Sequence, residues 1–447
     1  MERDYLIMLL HIAAELEQSL MVQYLYAAYS LGGDQARAHE DKVQEWRSAI
    51  IGVAKEEMGH LLTVQNVLCL LGGPISFERE DYPWDTPYYP FVFCLEKLTL
   101  QSLAKYVFAE MPEDFGGNKA EEQIADDACA LLPEGTSGHP VGEIYNEIIK
   151  IIGDETRIPD SDFNSDSYGI QASFDDWGRG YRPAPFPPHA KITDSPPGVR
   201  NTRLIIAQMA TRTEAVAALK DVAGQGESPR HRRSKTEPSH FDRFARIFHE
   251  LQAIQNKDKD WSPSRNVPDN PVIADPTKVI TGSTCITAEP SRTWASLFNV
   301  RYRMLLTYLT HTFSLQRASD EGLDSVRPAV MAKVFGEMYN LKAIAGILVR
   351  LPLGASADPR RAGPTFQMPY TLTLPSSEVD IWRQHRDLVS SSQELVAELM
   401  HPDKNNLADA PPDGSKYLAA LRDLDLQSIV FIDQVLLGLR PIRRGRK

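Results

Sequence analysis

Apolar residues recur along this chain with the three- and four-residue spacing of helices that bury one face. The pattern is longest in residues 6–31 (LIMLLHIAAELEQSLMVQYLYAAYSL), which two glycines follow, and in residues 41–71, which Gly-Gly-Pro follows. Alternation typical of strands is confined to short pieces at 91–93, 278–281 and 370–374. The pattern therefore predicts a mainly α fold.

Polar and proline-rich stretches divide the helical segments into regions. Residues 1–254 are predicted to form a helical bundle with a loop insertion at about 153–202, and residues 255–291 a proline-rich connector. Helical periodicity returns in a C-terminal region, residues 292–447. The helices predicted there are 293–315, 328–351, 376–400 and 417–437. We therefore expect a bundle with an additional C-terminal helical layer.

Two Glu-x-x-His pairs are the strongest chemical signal in the sequence. One is Glu57–His60 in the second long segment, and the other is Glu237–His240. Helical residues three apart share a face, so each pair would direct a carboxylate and an imidazole to one point. Two such pairs, with one inward Glu on each of two further helices, form the ligand set of a two-metal ferritin-like bundle. The sequence then has to supply two more carboxylates.

Glu17 is the candidate for the first of these carboxylates. It lies at helical spacing with Leu20, Met21 and Tyr24, on an apolar stripe that is predicted to face the core. A charged group there is costly unless it is paired or binds a metal. The competing interpretation places Glu17 at the edge of the stripe, within reach of water. Tyr24 is a candidate to hydrogen-bond a ligand carboxylate, or else a core tyrosine that is satisfied elsewhere.

The first Glu-x-x-His pair has apolar residues one turn away on either side. This favours a core-facing orientation for Glu57 and His60, with the neighbouring Glu56 directed to solvent. The competing interpretation is that Lys55, Glu56 and Glu57 form a solvated run of charges.

Several stretches of the chain resemble the ferritin-like domain found in iminophenyl-pyruvate dimer synthase and its stand-alone relatives. These stretches are ELEQSLMVQYLYAAYS (15–30), EEMGHLLTVQNVLCLLGG (56–73), FAEMPE (108–113), VGEIYNEI (141–148), QGES (225–228), EPSHFDRF (237–244) and GPTFQMP (363–369). Those synthases are much longer proteins that join two amino-acid-derived imines oxidatively in bisindole pigment biosynthesis. The resemblance implies a ferritin-like four-helix bundle that corresponds to one module of such an enzyme.

The resemblance also implies that Glu143 is the carboxylate of the third helix. The residues themselves leave two other interpretations open. Glu143 could be a first-turn Glu that the helix dipole favours. Alternatively, the ligand could be Glu110, which ends an apolar segment just before Pro112.

The fourth segment departs from the family pattern, which has a run like Glu-Leu-Ser-His. Pro238 stands where that pattern has Leu. Proline is tolerated in the first turn of a helix, so Glu237 is predicted to be an N-cap, from which it could bind a metal or cap the helix. Glu227 is the rival carboxylate. His240 is expected to be a ligand, and a hydrogen-bonded core histidine is the alternative.

Composition narrows the class of protein and its partners. The chain has 447 residues, is 42% hydrophobic and carries a formal charge of −12, which makes nucleic acid and anionic membranes poor partners. Its four cysteines lack CxxC spacing, so we expect a reducing, cytoplasmic location without disulfides. His11, Glu15 and Glu17 interrupt the N-terminal apolar stretch, so neither a signal peptide nor a membrane span is predicted.

Other chemistries have less support in the sequence. It has no phosphate-binding loop and no Gly-x-Ser-x-Gly elbow. A haem needs only one ligand, such as His311, and leaves no spacing signature, so haem stays an open alternative. Mixed carboxylate and imidazole ligands suit iron or manganese. We therefore expect two iron ions, or else manganese or a mixed pair, with O2 as co-substrate.

The leading hypothesis is an O2-dependent non-haem di-iron oxidoreductase that acts on a small, amino-acid-derived metabolite in natural-product biosynthesis. Its substrate class rests on the resemblance alone. One alternative is a ferritin-like metal-binding protein that does not act on organic molecules, and another is a structural or partner protein with a degenerate site. The sequence leaves the oligomeric state open, with a homodimer among the states it allows.

Overall fold

The computed structural model is mainly helical, which confirms the predicted fold class. It describes residues 2–85, 88, 91–112, 115, 117–132, 141–174, 176, 204–226, 238–275, 277, 279–316, 326–401 and 414–439. The chain divides into two compact units. The first comprises Met1–Asn270 and Gln316–Leu323, and the second Pro271–Leu315 and Asp324–Lys447. The boundary at residue 270 lies inside the predicted connector.

Long helices make up most of the first unit. They are α1 (Glu2–Ser30), α2 (Glu40–Leu70), α3 (Leu100–Ala109), α4 (Lys119–Cys129), α5 (Gly142–Gly153), α6 (Arg212–Gly226) and α7 (His240–Gln255). Single 3-10 turns lie at Gln35–His39, Asp160–Asp162 and Ser165–Gly169. α1 packs along α2, α3 packs along α7, and α2 also contacts α7, so these four helices form the bundle. α5 and α6 pack on each other and against α1 and α2, respectively.

α1 is apolar on more than one face because α2 covers one side of it and α5 another. Among the described helices, it is the one long and apolar enough to cross a bilayer, with a mean hydropathy of 1.3 over its most apolar stretch. Within the first unit, 61% of that stretch is buried. This burial is what a core helix of a bundle shows, and it gives Glu17 an interior environment.

An extended segment that follows the loop insertion lies directly on α2. Gly59 leaves room for it, because an added Cβ would lie only 2.6 Å from the carbonyl oxygen of Ile205. Thr63 Oγ1 donates to that same oxygen at 3.2 Å. Asn66 Nδ2 donates to two backbone carbonyl oxygens at 2.8 Å. Gly59, Thr63 and Asn66 share one face of α2, so this face holds the segment in place.

The second unit is also built from helices. They are α8 (Ser291–Thr312), α9 (Arg327–Leu348), α10 (Glu378–Leu399) and α11 (Gly414–Leu439). α8 packs against α9 and α10, and α10 packs against α11. Each predicted helix of this region begins and ends within three residues of the observed one. Periodicity therefore located these elements well.

Strand structure is minimal in the described part of the chain. Its strands are β1 (Pro271–Val272) and β2 (Thr284–Cys285), which pair in parallel. Of the predicted pieces, 91–93 contributes one bridge between Phe93 and Trp84, while the described residues of 278–281 and of 370–374 form no strand. Those strand predictions were wrong, because a short apolar run needs a partner strand to form a stable ladder.

Candidate metal centre

Five buried side chains converge inside the bundle of the first unit. They are Glu17, Glu57, His60, Glu110 and His240, and each is at most 4% exposed. α1 provides the first, α2 the next two, the C-cap of α3 the fourth and the first residue of α7 the fifth. Every helix of the bundle therefore contributes to one acidic centre.

The five side chains form two triads that share Glu57. In the first triad, His60 Nδ1 lies 2.8 Å from Glu57 Oε2 and 3.4 Å from Glu17 Oε2. In the second triad, His240 Nδ1 lies 2.8 Å from Glu57 Oε1 and 3.6 Å from Glu110 Oε2. In each triad the three potential ligand atoms lie within 4.8 Å of one another. The two oxygens of Glu57 thus face different histidines.

Both imidazoles have an oxygen acceptor on the side that points away from the triads. His60 Nε2 lies 2.9 Å from Gln225 Oε1, and His240 Nε2 lies 2.9 Å from Glu56 Oε2. An acceptor at Nε2 favours the tautomer with its proton there, which directs the Nδ1 lone pair at the carboxylates. Metal-ligating histidines are oriented in this way.

Two atoms of the centre are buried without a hydrogen bond to any described residue. They are Glu57 Oε1 and His240 Nδ1, which face each other at 2.8 Å outside hydrogen-bond geometry. At this distance a protonated His240 forms an ion pair with Glu57, although not a hydrogen bond of good geometry. A cation bound between the two would satisfy both of them. The donor set, carboxylate oxygens with imidazole nitrogens, fits iron or manganese.

The buried groups of the centre shift one another's pKa values. Burial, together with the neighbouring Glu57, raises the pKa of Glu17 to about 8. Burial alone would lower the pKa of His60, but Glu17 and Glu57 raise it to about 10. Burial acts to raise the pKa of Glu57, yet the facing His240 brings it below the ordinary value. Without a metal the histidines carry protons, so a bound metal replaces protons as the counter-charge.

A buried tyrosine donates a hydrogen bond to the outer carboxylate of each triad. Tyr145 of α5 donates to Glu17 Oε1, and Tyr24 donates to Glu110 Oε1 at 2.6 Å. Burial and the adjacent carboxylates raise the pKa of both phenols well above its usual value, so both remain protonated donors. Tyr24 makes the kind of contact that the sequence predicts, whereas Tyr145 was not singled out.

Glu143, which the resemblance implies as a ligand, does not reach the centre. α5 buries the stripe that contains Gly142, Tyr145 and Ile148, and Glu143 lies off that stripe with an exposed side chain. Glu110 contributes the carboxylate instead. The sequence does contain a signal for Glu110, because it ends a strongly apolar helix directly before Met-Pro.

Glu56 also differs from its prediction, since it is fully buried and not directed to solvent. α7 packs against this side of α2, and Glu56 accepts hydrogen bonds from His240 Nε2 and from Arg243 Nη1, the latter at 3.0 Å. Burial opposes its ionisation, but His240 and Arg243 lower the pKa of Glu56 overall.

Of the second Glu-x-x-His pair, the structure describes His240. α7 begins at His240, and Ser239 is its N-cap, accepting from Asp242 N at 3.1 Å while Asp242 Oδ2 accepts from Ser239 N at 2.7 Å. The predicted N-cap at Glu237 was therefore wrong. As ligand candidates, Glu237 and its rival Glu227 both lie outside the described residues.

A small cavity lies beside the first triad. It has a volume of about 20 Å³, and its lining includes Glu17, Glu57, His60, Tyr145 and Gly226. A cavity needs roughly 10–15 Å³ of this kind of volume to hold one water molecule. The centre therefore has room for an ion or a water beside its carboxylates.

The bundle and its centre have counterparts among known proteins. A family model described as Ferritin-like matches residues 10–249, which is more than half of the chain. The chain belongs to the Ferritin-like family. The matched range contains all five side chains of the centre, so the family assignment covers the candidate metal site of this ferritin-like protein.

Two relatives of this ferritin-like chain are named as enzymes. Dichlorochromopyrrolate synthase of Lentzea aerocolonigenes is 26% identical over 396 residues, which are 82% of this chain and 36% of that enzyme. 2-Imino-3-(indol-3-yl)propanoate dimerase of Chromobacterium violaceum is 30% identical over 128 residues, which are 22% of this chain and 12% of that enzyme. The matches thus confirm the predicted resemblance, and the chain spans about a third or less of each relative.

One solved structure shares the ferritin-like description. It is a ferritin-like protein from Caulobacter vibrioides, with 16% sequence identity and a TM-score of 0.42. The alignment covers 76% of this chain and 95% of that chain.

Proposed function

We propose that this ferritin-like protein is an O2-dependent non-haem di-iron oxidoreductase that acts on a small, amino-acid-derived metabolite in natural-product biosynthesis. The observation that carries the proposal is the pair of buried atoms Glu57 Oε1 and His240 Nδ1, which face each other without a hydrogen bond in the middle of five converging ligand groups. The substrate class comes from the names of the two relatives.

The residues present would hold two metal ions. Glu17, Glu57 and His60 would bind one ion, and Glu57, Glu110 and His240 the other, with Glu57 belonging to both ligand sets. A reduced pair of iron ions supplies electrons to dioxygen for the oxidation of a bound organic molecule. Manganese or a mixed pair is compatible with the same donors.

The chain itself fixes the orientation of the ligand groups and excludes water from them. Tyr24 and Tyr145 fix the outer carboxylates of the two triads by hydrogen bonds. Gln225 and Glu56 fix the imidazole planes through Nε2. All ligand groups are nearly inaccessible to solvent, so reactive species at the centre would be shielded from water.

The first test is the metal content after anaerobic loading with Fe(II). We expect about two iron ions per chain in the wild type, and a loss of at least one in His240→Ala. His249→Ala is the matched control, because His249 is an exposed residue on the same helix. Glu110→Gln should lose iron while Glu143→Gln retains it. Absence of stoichiometric iron in the wild type would overturn the proposal.

The second test is O2 consumption by the iron-loaded protein in the presence of 2-imino-3-(indol-3-yl)propanoate, the compound in the name of one relative. Joining two imines removes two electrons and two protons, which O2 can accept. We expect the imine to accelerate O2 consumption in the wild type and not in His60→Ala. If iron binds and no imino acid of this class changes the rate, the protein is a metal-binding member of the family without this activity.

A further inference from the structure

The two triads are closely matched in their inner groups. Each has a histidine that presents Nδ1, an outer Glu that accepts from a buried tyrosine, and one oxygen of the shared Glu57. The imidazoles stack with centroids 5.4 Å apart and planes 27° apart. A clear chemical difference between the two metal positions lies in the groups behind the histidines.

The groups behind the two histidines differ in charge. His60 Nε2 meets Gln225, a neutral amide on the last turn of α6. His240 Nε2 meets Glu56, a fully buried carboxylate that Arg243 holds at 3.0 Å. Both acceptors lie 2.9 Å from the imidazole nitrogen. The contrast is thus one of charge at equal distance.

A carboxylate behind a ligating imidazole makes the imidazole a stronger donor to the metal, and removal of such a partner typically costs about 10–100-fold in metal affinity. An amide at the same place fixes the ring without adding negative charge. Arg243 offsets part of the negative charge of Glu56. The side chain of Arg243 is 16% exposed, however, so solvent screens part of its positive charge.

We propose that the two metal positions are inequivalent, and that Glu56 makes the second triad the tighter one. The inference rests on the proposed two-metal centre and deepens it. The centre then loads in two steps: the ion between Glu57, Glu110 and His240 binds first, and the ion between Glu17, Glu57 and His60 binds second. Glu56 and Gln225 are positioning residues in this scheme, because neither belongs to a triad.

The test is an anaerobic titration with cobalt(II) in competition with a metal-binding dye, without O2 or organic substrate. The wild type should show two steps whose dissociation constants differ by about tenfold or more. Glu56→Gln should weaken the tighter step by about 10–100-fold and leave the weaker step nearly unchanged, so that the two steps merge. Glu110→Ala should remove the tighter step and Glu17→Ala the weaker one.

Gln225→Glu provides the opposite change at a less buried position. It places a carboxylate behind His60 and should tighten the weaker step, so that the two steps converge through a gain in affinity and not through a loss. The visible absorption of bound cobalt(II) should change for the affected step in each variant. Circular dichroism would identify a variant that has lost its helices.

Two results would overturn this inference while leaving the proposed function intact. One is a wild type that binds two ions with equal affinity, and the other is a Glu56→Gln variant that weakens both steps equally. A wild type that binds no cobalt and no iron would contradict the two-metal centre itself. The two failures are therefore distinguishable.

Discussion

Both units bury carboxylates between helices, but they neutralise them in different ways. In the second unit, Arg301 of α8 is 1% exposed and donates to Glu337 at 3.0 Å and to Asp425. Ser392 accepts from Arg301 and donates to Asp425. The permanent positive charge of Arg301 therefore neutralises these buried carboxylates without a bound ion.

The centre of the first unit has three inner carboxylates, and among the described residues the cationic groups close to them are histidines. Histidine can give up its proton, so its positive charge is replaceable by that of a metal ion, whereas arginine stays charged. Buried atoms without hydrogen bonds to described residues occur in both networks, at Glu57 Oε1 and His240 Nδ1 in the first and at Arg301 Nε in the second, so they do not distinguish the two units. The comparison teaches that the identity of the counter-charge, and not the number of buried acids, separates a structural network from a candidate metal site.

The largest expected effect comes from removal of the permanent cation. Arg301→Met should destabilise the second unit by about 3–5 kcal/mol, because Glu337 and Asp425 would stay buried without their partner. The free energy of unfolding from urea denaturation measures this. Arg422→Met, a change at an exposed arginine of the same unit, should cost less than about 0.5 kcal/mol. Equal effects of the two changes would remove the contrast between the units.

The next largest effect is expected when a metal ion is added to the centre of the first unit. A metal at 100 times its dissociation constant should stabilise the first unit by about 2.7 kcal/mol, without shifting the unfolding of the second unit. Calorimetry with and without metal would resolve this, and a chelator should reverse it. His240→Ala should abolish the gain and His249→Ala should keep it. A shift of the second unit instead would place the metal elsewhere.

Replacement of a buried carboxylate by the corresponding amide should change the free energy of unfolding in opposite directions in the two units when no metal is present. Burial and Glu57 raise the pKa of Glu17 to about 8, so at pH 7 the folded state holds a proton that the unfolded state releases. Glu17→Gln should therefore stabilise the metal-free protein, by roughly 1–3 kcal/mol. Asp425→Asn, the corresponding carboxylate-to-amide change in the second unit, should destabilise it, because Arg301 loses an ionic partner. If both variants change the free energy of unfolding in the same direction in chelator-treated samples, the prediction is contradicted.

The smallest expected effect is a loss of stability of the second unit at low pH. Burial lowers the pKa of His385, and also that of His311, which lies between His385 and Glu378. Their depressed folded-state pKa values mean that stability is fully present above about pH 6.5, the unfolded value, and declines as the pH falls below it. We expect a loss of about 1 kcal/mol per histidine for a one-unit drop.

Urea denaturation of the second unit at pH 7.5 and 5.5 checks the acid effect. His385→Gln should flatten the dependence if the buried imidazole is its source. His60 of the first unit should behave in the opposite way, because its pKa is raised to about 10. Its contribution to stability is fully present below pH 6.5 and is lost only as the pH rises toward 10. A second unit that gains stability in acid would refute the assignment.

Periodicity identified the long helices and placed three of the five inner groups, Glu17, Glu57 and His60, on core-facing stripes. Apolar residues one turn away were enough to predict this orientation. Glu110 and Glu143 could not be separated in this way, because each lies at a helix end. Only the packing of α5 shows that Tyr145, and not Glu143, faces α1.

Partners from distant segments were beyond the reach of the sequence. Glu56 is buried by α7, which lies some 180 residues later, and Gln225 approaches His60 from the end of α6. A run such as Glu56-Glu57 looks solvated because local pattern records only one helix at a time. The prediction of Glu237 as N-cap failed for a different reason, since Ser239 is the N-cap of α7.

The glycine inside the first motif offers a diagnostic for other sequences. Gly59 is required by the backbone at Ile205, which crosses α2 where a Cβ would stand, and not by the ligands on either side of it. A side chain at this position would force the crossing strand of chain to shift. We therefore expect that relatives with Glu-x-Gly-His have a segment that crosses the second helix at the same place. In relatives with a larger third residue, that segment should take a different path, so one position of the sequence predicts its route.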